Sequence, residues 1–332
     1  MKKIHIYIIT LFAALLSFSG CNDEWEDELY THMVSLKAPV GGEGVCDVYL
    51  RYKPNGEVIY NLPVLRSGST LSDEAIDVYI GKDEEDTLGI FNREKYQYRE
   101  DLYFKELTEE YYEFQSPSCH IPAGSNKELF PIKFKFSGLD LSREWVLPVS
   151  IKDDPSYIPN RRKGWRKALL HVLPFNDYSG DYSGTGVTNK VNETPLVVDQ
   201  RRAYVVDENT IFFYAGTKQD DAIDRQTYKI NVKFEEPTTV TETSKSGNLT
   251  VTAVNSDINF SVEGQPTYEI REEMDATQPY LKHQYFTIRM NYRYTDITSV
   301  EDNPIEYRAE GSMTMERKIN ILIPDEDQAI IW

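Results

Sequence analysis

A chain of 332 residues exceeds the usual single-domain size and predicts two domains, each large enough to bury its own core. Its mean hydropathy of −0.52 argues against a protein of many membrane spans, and a formal charge of −18 repels nucleic-acid phosphates and anionic lipid surfaces. Partners are then neutral or cationic, nucleic acid is not among them, and 23 Tyr and 14 Phe point to an all-β protein.

The chain opens with Lys2 and Lys3 before the apolar run IYIITLFAALLSF, long enough for a signal-peptide core and short for a stable bilayer span. Leu16, Phe18, Ser19, Gly20 and Cys21 resemble the lipobox of bacterial lipoproteins, which implies cleavage after residue 20 and acylation of Cys21. Several acyl chains anchor durably, since each buried methylene contributes roughly 0.8 kcal/mol. The acidic residues Asp23, Glu24, Glu26, Asp27 and Glu28 resemble the export signal of Bacteroidetes surface lipoproteins, implying an outer-membrane location facing the cell exterior. The alternatives are an ordinary leader with an incidental cysteine, followed by a solvated linker.

From about Val34 the sequence shows short period-2 segments broken by turn residues, the pattern of sandwiches and small barrels. Strands are predicted at Ile132–Phe136, across Val146 to Ile151, and at Leu169–Leu173. In 101–114, apolar residues at 103, 104, 107, 111 and 114 suit an amphipathic helix or an irregular excursion. With Cys21 set aside, Cys46 and Cys119 either pair in one disulfide or remain as buried thiols. The runs at 83–86 and 220–221 read as solvated turns, because they lack the spaced oxygen ligands of a calcium loop.

The turn-rich stretch from Pro174 to Gly186 marks the domain boundary; its glycines lack the spacing and following Lys of a phosphate loop. The division is thus leader 1–20, acidic tether 21–29, a first domain at 30–176 and a second at 177–332. A further series of strands follows, from Ala203 to Ile323, and suggests an antiparallel sheet that closes into a barrel or packs as a sandwich. Gly180-Asp-Tyr182 resembles the opening of lipocalin-like barrels. Along 286–294 the even-numbered residues Phe286, Ile288, Met290, Tyr292 and Tyr294 face inward and Arg289 and Arg293 outward; a filled core is the expectation, a ligand cavity the alternative.

Several stretches together resemble one group, the two-domain cell-surface lipoproteins of Bacteroidetes glycan-utilisation loci. They are the leader with Cys21, YYEFQSPSCHIPAG from Tyr111, PIKFKF from Pro131, GLDLSREWVLPV from Gly138, and YSGDYSG from Tyr178. The resemblance implies an immunoglobulin-like β-sandwich domain of unknown function followed by a second β domain. It also implies a non-enzymatic role, capturing polysaccharide or oligosaccharide for a neighbouring outer-membrane glycan transporter. Cys119 departs from the pattern, standing where an apolar residue is expected, and reads as a small buried hydrophobe.

No cofactor or metal is expected: the five His show no zinc-ligand spacing, and Cys119 and His120 are adjacent and so face opposite ways on a strand. No Gly-x-Ser-x-Gly elbow is present. Sugar binding uses an aromatic face with polar side chains at its edge. The aromatics hardest to bury, in turn-rich polar segments, are Tyr157, Trp165 within RRKGWRK, and Tyr280, and these are the candidate glycan-binding residues. The competing readings are an adhesin that binds a protein partner and a small glycosidase.

Overall fold

The computed structural model describes residues 30–38, 44–141, 143–161, 165–190, 193–300 and 302–324. The leader, Cys21 and the whole acidic tether lie outside them, as do Arg162, Lys163 and Gly164 of the basic stretch. The fold is all-β, an immunoglobulin-like sandwich followed by a closed antiparallel barrel.

The sandwich is built from β1 (Val34–Leu36), β2 (Cys46–Arg51), β3 (Glu57–Arg66), β4 (Ile76–Lys82), β5 (Lys105–Glu106), β6 (Tyr112–Phe114), β7 (Ser118–Ile121), β8 (Lys127–Lys135), β9 (Trp145–Ile151) and β10 (Lys167–Phe175). One sheet runs β1-β3-β8-β6; the other runs β2-β10-β9-β4-β7, with β5 beside β9. Alternation sends Leu62, Val64, Phe130, Ile132 and Phe134 of the first sheet against Leu147, Val149 and Leu170 of the second, all fully buried. Each contributes about 1.5–3 kcal/mol by leaving water.

Strand β9 is buried on both faces, because helix α1 (Thr87–Tyr96) and the segment after it cover the outer side of the second sheet. There Leu88, Phe104, Val45, Val146 and Leu169 form a satellite core. The stretch at 101–114 takes the irregular of its two expected forms. Its apolar residues serve two layers, Phe104 under α1 and Leu107 inside the sandwich, which no single helical stripe could do. The backbone instead lies along β9, Lys105 N–H on Glu144 O (2.8 Å) and Leu107 N–H on Val146 O (2.9 Å). Asn92 holds it from above: its Nδ2 donates to Phe104 O (2.9 Å) and its Oδ1 accepts from Phe104 N–H (3.0 Å).

Cys46 and Cys119 are free and buried, and burial pushes both thiols up to about 12. They sit on β2 and β7, the opposite edges of one sheet. Four strand spacings of about 4.8 Å separate them, far beyond the reach of a disulfide.

The barrel consists of β11 (Gly180–Lys190), β12 (Leu196–Val205), β13 (Thr210–Tyr214), β14 (Lys229–Val240), β15 (Ser244–Ala253), β16 (Ser261–Met274), β17 (Leu281–Asp296), β18 (Ile305–Glu310) and β19 (Ser312–Asn320). β18 and β19 share the eighth position: both pair with β17 and with β11, in one continuous register broken at Gly311. Gly311 has φ +142°, and a Cβ there would lie 2.8 Å from Gly186 Cα; one on Gly184 would overlap the Ser312 carbonyl. Closure at this seam therefore requires glycine. Along β17 the side chains alternate as expected, with Phe286, Ile288, Met290, Tyr292 and Tyr294 buried and Arg289 and Arg293 exposed. They meet Tyr182, Ile230 and Phe234 in a filled core.

The junction between the two units is bonded at every residue. Asn176 Nδ2 donates to Asp207 O (2.7 Å) and Thr210 O (3.2 Å), while its Oδ1 accepts from the Tyr178 and Ser179 N–H groups (2.9 and 2.8 Å). Arg317 donates to the carbonyls of Asn176 (3.0 Å) and Ser179 (2.7 Å), and Arg51 pairs with Asp177. Tyr178 stacks on Phe234 of the barrel core at 3.8 Å.

Candidate functional site

Strand β13 breaks the alternation seen elsewhere, since all five of Thr210, Ile211, Phe212, Phe213 and Tyr214 are buried. Ile211 and Phe213 fill the barrel, whereas Phe212 and Tyr214 face outward. Tyr204 stacks on Phe212 at 5.0 Å and Lys229 lies 4.0 Å above its ring, itself reaching Asp140 of the sandwich (3.9 Å). This outward face and the outer face of the second sheet enclose a cleft of about 350 Å³.

The sandwich supplies the cleft floor through Asp47 and Tyr49 of β2 and His171 of β10, which the inward placing of Val48, Leu50 and Val172 turns outward. The segment after α1 brings Tyr96, Tyr103 and Phe104, and the approach to β9 brings Glu144 and Trp145. Across from them stand Arg202, Tyr204 and Tyr214 of the barrel, with Asp220 and Arg225 from the loop before β14. Tyr49, Tyr96, Tyr103, Trp145 and Tyr204 are all half-buried, so each keeps part of its surface available.

His171 bridges two carboxylates, Nδ1 to Asp47 Oδ1 (2.8 Å) and Nε2 to Glu144 Oε2 (2.7 Å), beneath Phe104 at 4.8 Å. Burial works against its charge, but hydrogen bonds to Asp47 and Glu144 outweigh it and raise the imidazole to about 9. It is thus an imidazolium at neutral pH, donating from both nitrogens. Asp220 is shifted upward, chiefly by desolvation between the cleft walls and further by Glu144 facing it, although a hydrogen bond from Tyr204 and the charges of Arg202 and Arg225 oppose this.

The loop carrying Asp220 and Arg225 is fixed by a closed network behind it. Tyr228 donates to Asp296 Oδ1 (2.7 Å) and accepts from the Ile297 and Thr298 N–H groups (2.9 and 3.1 Å), while Lys218 binds Asp224. Burial disfavours the Asp296 charge, yet donors from Ser299, Tyr228 and the Thr298 backbone hold its carboxyl well below the usual range. Arg225 also ties the loop to the sandwich, donating to Asp101 O (3.1 Å).

Of the residues expected from sequence, none lines this cleft. Tyr157 is buried, its hydroxyl donating to Lys152 O (2.9 Å) and accepting from Tyr79 N–H (3.0 Å). Trp165 is 45% exposed just ahead of β10, and Tyr280 is 40% exposed in the β16–β17 turn with its hydroxyl on Gln278 Oε1 (3.1 Å). The segments of Tyr157 and Trp165 both lie along β1, where Ile158 O accepts from Val34 N–H and Trp165 O from Leu36 N–H (both 2.9 Å), whereas Tyr280 belongs to the barrel. Among the described residues no group of His, Cys, Asp and Glu is arranged to hold a metal ion. The signal that sequence reasoning passed over is TIFFY at 210–214: a run without alternation marks a strand covered on both faces.

The model for a domain of unknown function, DUF4973, matches residues 25–155, and one for a C-terminal domain matches 166–314. No curated protein matches. Among solved structures, a multidomain protein including DUF1735 from Bacteroides ovatus is 41% identical, covering 90% of this chain and 99% of its own, with a TM-score of 0.78. A protein of unknown function from the same organism is 35% identical over 90% of this chain and 96% of its own, TM-score 0.78. An auxiliary nutrient binding protein from Bacteroides thetaiotaomicron is 35% identical over 88% of this chain and 97% of its own, TM-score 0.73. The chain belongs to the family of two-domain Bacteroides proteins that these structures represent.

Proposed function

We propose that this protein is a non-enzymatic lipoprotein of the outer-membrane surface, anchored through Cys21, that binds oligosaccharide for a neighbouring glycan transporter. The observation that carries the reading is the cleft between the two units. Its volume is that of a small-ligand site, and half-buried aromatic rings stand beside carboxylates, the pairing that suits the apolar faces and hydroxyl rims of pyranose rings. A relative described as an auxiliary nutrient binding protein, alike over nearly its whole length, supports a binding role.

Affinity electrophoresis across a panel of polysaccharides tests the reading. Retardation by at least one glycan, recovered unshortened on chromatography, is the expected result. Saturable binding to a protein with no retardation by any glycan would replace this reading with an adhesin, and shortened products would replace it with a glycosidase. The anchor is tested separately: a mass spectrum of the native protein should show an acylated Cys21 as its first residue.

A further inference from the structure

The guanidinium and imidazolium groups of the cleft are already engaged, while several of its anionic oxygens are not. Arg202 spends Nε and Nη2 on the carboxylate of Asp181 (2.9 and 3.2 Å), Arg225 lies 3.6 Å from Asp101, and Arg143 lies 3.5 Å from Asp140. Both nitrogens of His171 are taken. Lys105 stands exposed at the rim, where water and salt screen it. On the other side of the account, His171 uses one oxygen of Asp47 and one of Glu144. Among the described residues the second oxygen of each remains an acceptor, as does Asp220 beyond its bond from Tyr204.

Resting on the saccharide reading above, we infer that the cleft selects neutral glycans and excludes those bearing carboxylate or sulfate groups. A sugar hydroxyl is a donor as well as an acceptor and satisfies the open oxygens of Asp47, Glu144 and Asp220. An anionic group has no donor to give them, and among the described residues each guanidinium lining the cleft already holds a carboxylate or carbonyl, so the group would have to displace an existing pair inside a partly desolvated site. Asp220 is raised chiefly by desolvation, and the charge of Glu144 facing it adds to that shift. The net charge of −18 opposes approach of a polyanion before contact is made.

The test uses the full chain in detergent with α-mannan, glucomannan, galactan and amylose, each in three forms: unmodified, oxidised to the carboxylate at C6, and oxidised then methyl-esterified. The ester keeps the shape of the acid without its charge. Whichever glycan is retained, the unmodified and ester forms should bind about tenfold or more tightly than the acid. That gap should narrow in about 0.5 M salt, and narrow again in Glu144→Gln or, should that variant not fold, in Asp220→Asn. An acid form bound as well as the neutral form would overturn the inference and leave the saccharide reading standing. An unchanged gap in a folded variant would overturn the assignment of selectivity to these carboxylates. Retention of none of the three forms of any glycan would overturn the saccharide reading itself, and the inference with it.

Discussion

At the scale of single residues, His171 and Asn92 decide how the cleft is held. The folded state binds the His171 proton more tightly than an unfolded chain does, at about 9 against 6.5. The stabilisation is therefore complete below about pH 6.5 and lost as pH rises toward 9, on the order of 3 kcal/mol in all. Thermal denaturation followed from pH 6 to 9.5 should show a falling midpoint, and His171→Gln should flatten that fall. Some slope should persist in the variant, since His283 is raised as well, by its bonds to Glu316 and Asp275. An equal slope in both proteins would show that the imidazolium bridge contributes nothing. Asn92 is buried and makes two bonds to one residue, so Asn92→Ala leaves the Phe104 N–H without its partner. A loss of about 1–3 kcal/mol in urea denaturation is expected.

At the scale of elements, the barrel seam and strand β13 show what the sequence made legible. Alternation along 286–294 assigned inside and outside correctly, because a strand with one wet face carries its orientation in every residue. The site was not legible in the same way. Asp47, Glu144, His171, Tyr204 and Asp220 come from five separate places in the chain, and what unites them is the docking of two sheets. Tyr157, Trp165 and Tyr280 stand out in sequence because they sit in turn-rich polar segments, whereas the cleft aromatics are half-buried and ordinary in local sequence. The helical option at 101–114 failed for a related reason: spacing alone does not say that Phe104 and Leu107 belong to different layers. The seam yields its own expectation. Gly184→Val should prevent β11 from approaching β19 and cost about 4 kcal/mol or more, read as a large drop in the urea midpoint. A midpoint close to that of the parent would mean the seam opens without consequence.

At the scale of the whole molecule, the two units work as one because the junction is a knot of hydrogen bonds rather than a tether. Arg317 binds the carbonyls of Asn176 and Ser179, Arg51 binds Asp177, and Asn176 reaches Asp207 of the barrel. Calorimetry should show a single transition for the parent and a broadened or divided one for Arg317→Ala, in which the carbonyls of Asn176 and Ser179 lose their donor. A cleft whose walls belong to different units needs that rigidity to hold its rings and carboxylates in register. Affinity electrophoresis of Trp145→Ala, Tyr204→Ala and Trp165→Ala on a glycan that retains the parent protein tests the role of the cleft most directly. Loss of retardation in the first two, one from each wall, with Trp165→Ala unchanged and all three melting as the parent does, is the predicted result. Retardation surviving in Trp145→Ala and Tyr204→Ala but lost in Trp165→Ala would place the binding surface elsewhere and contradict it.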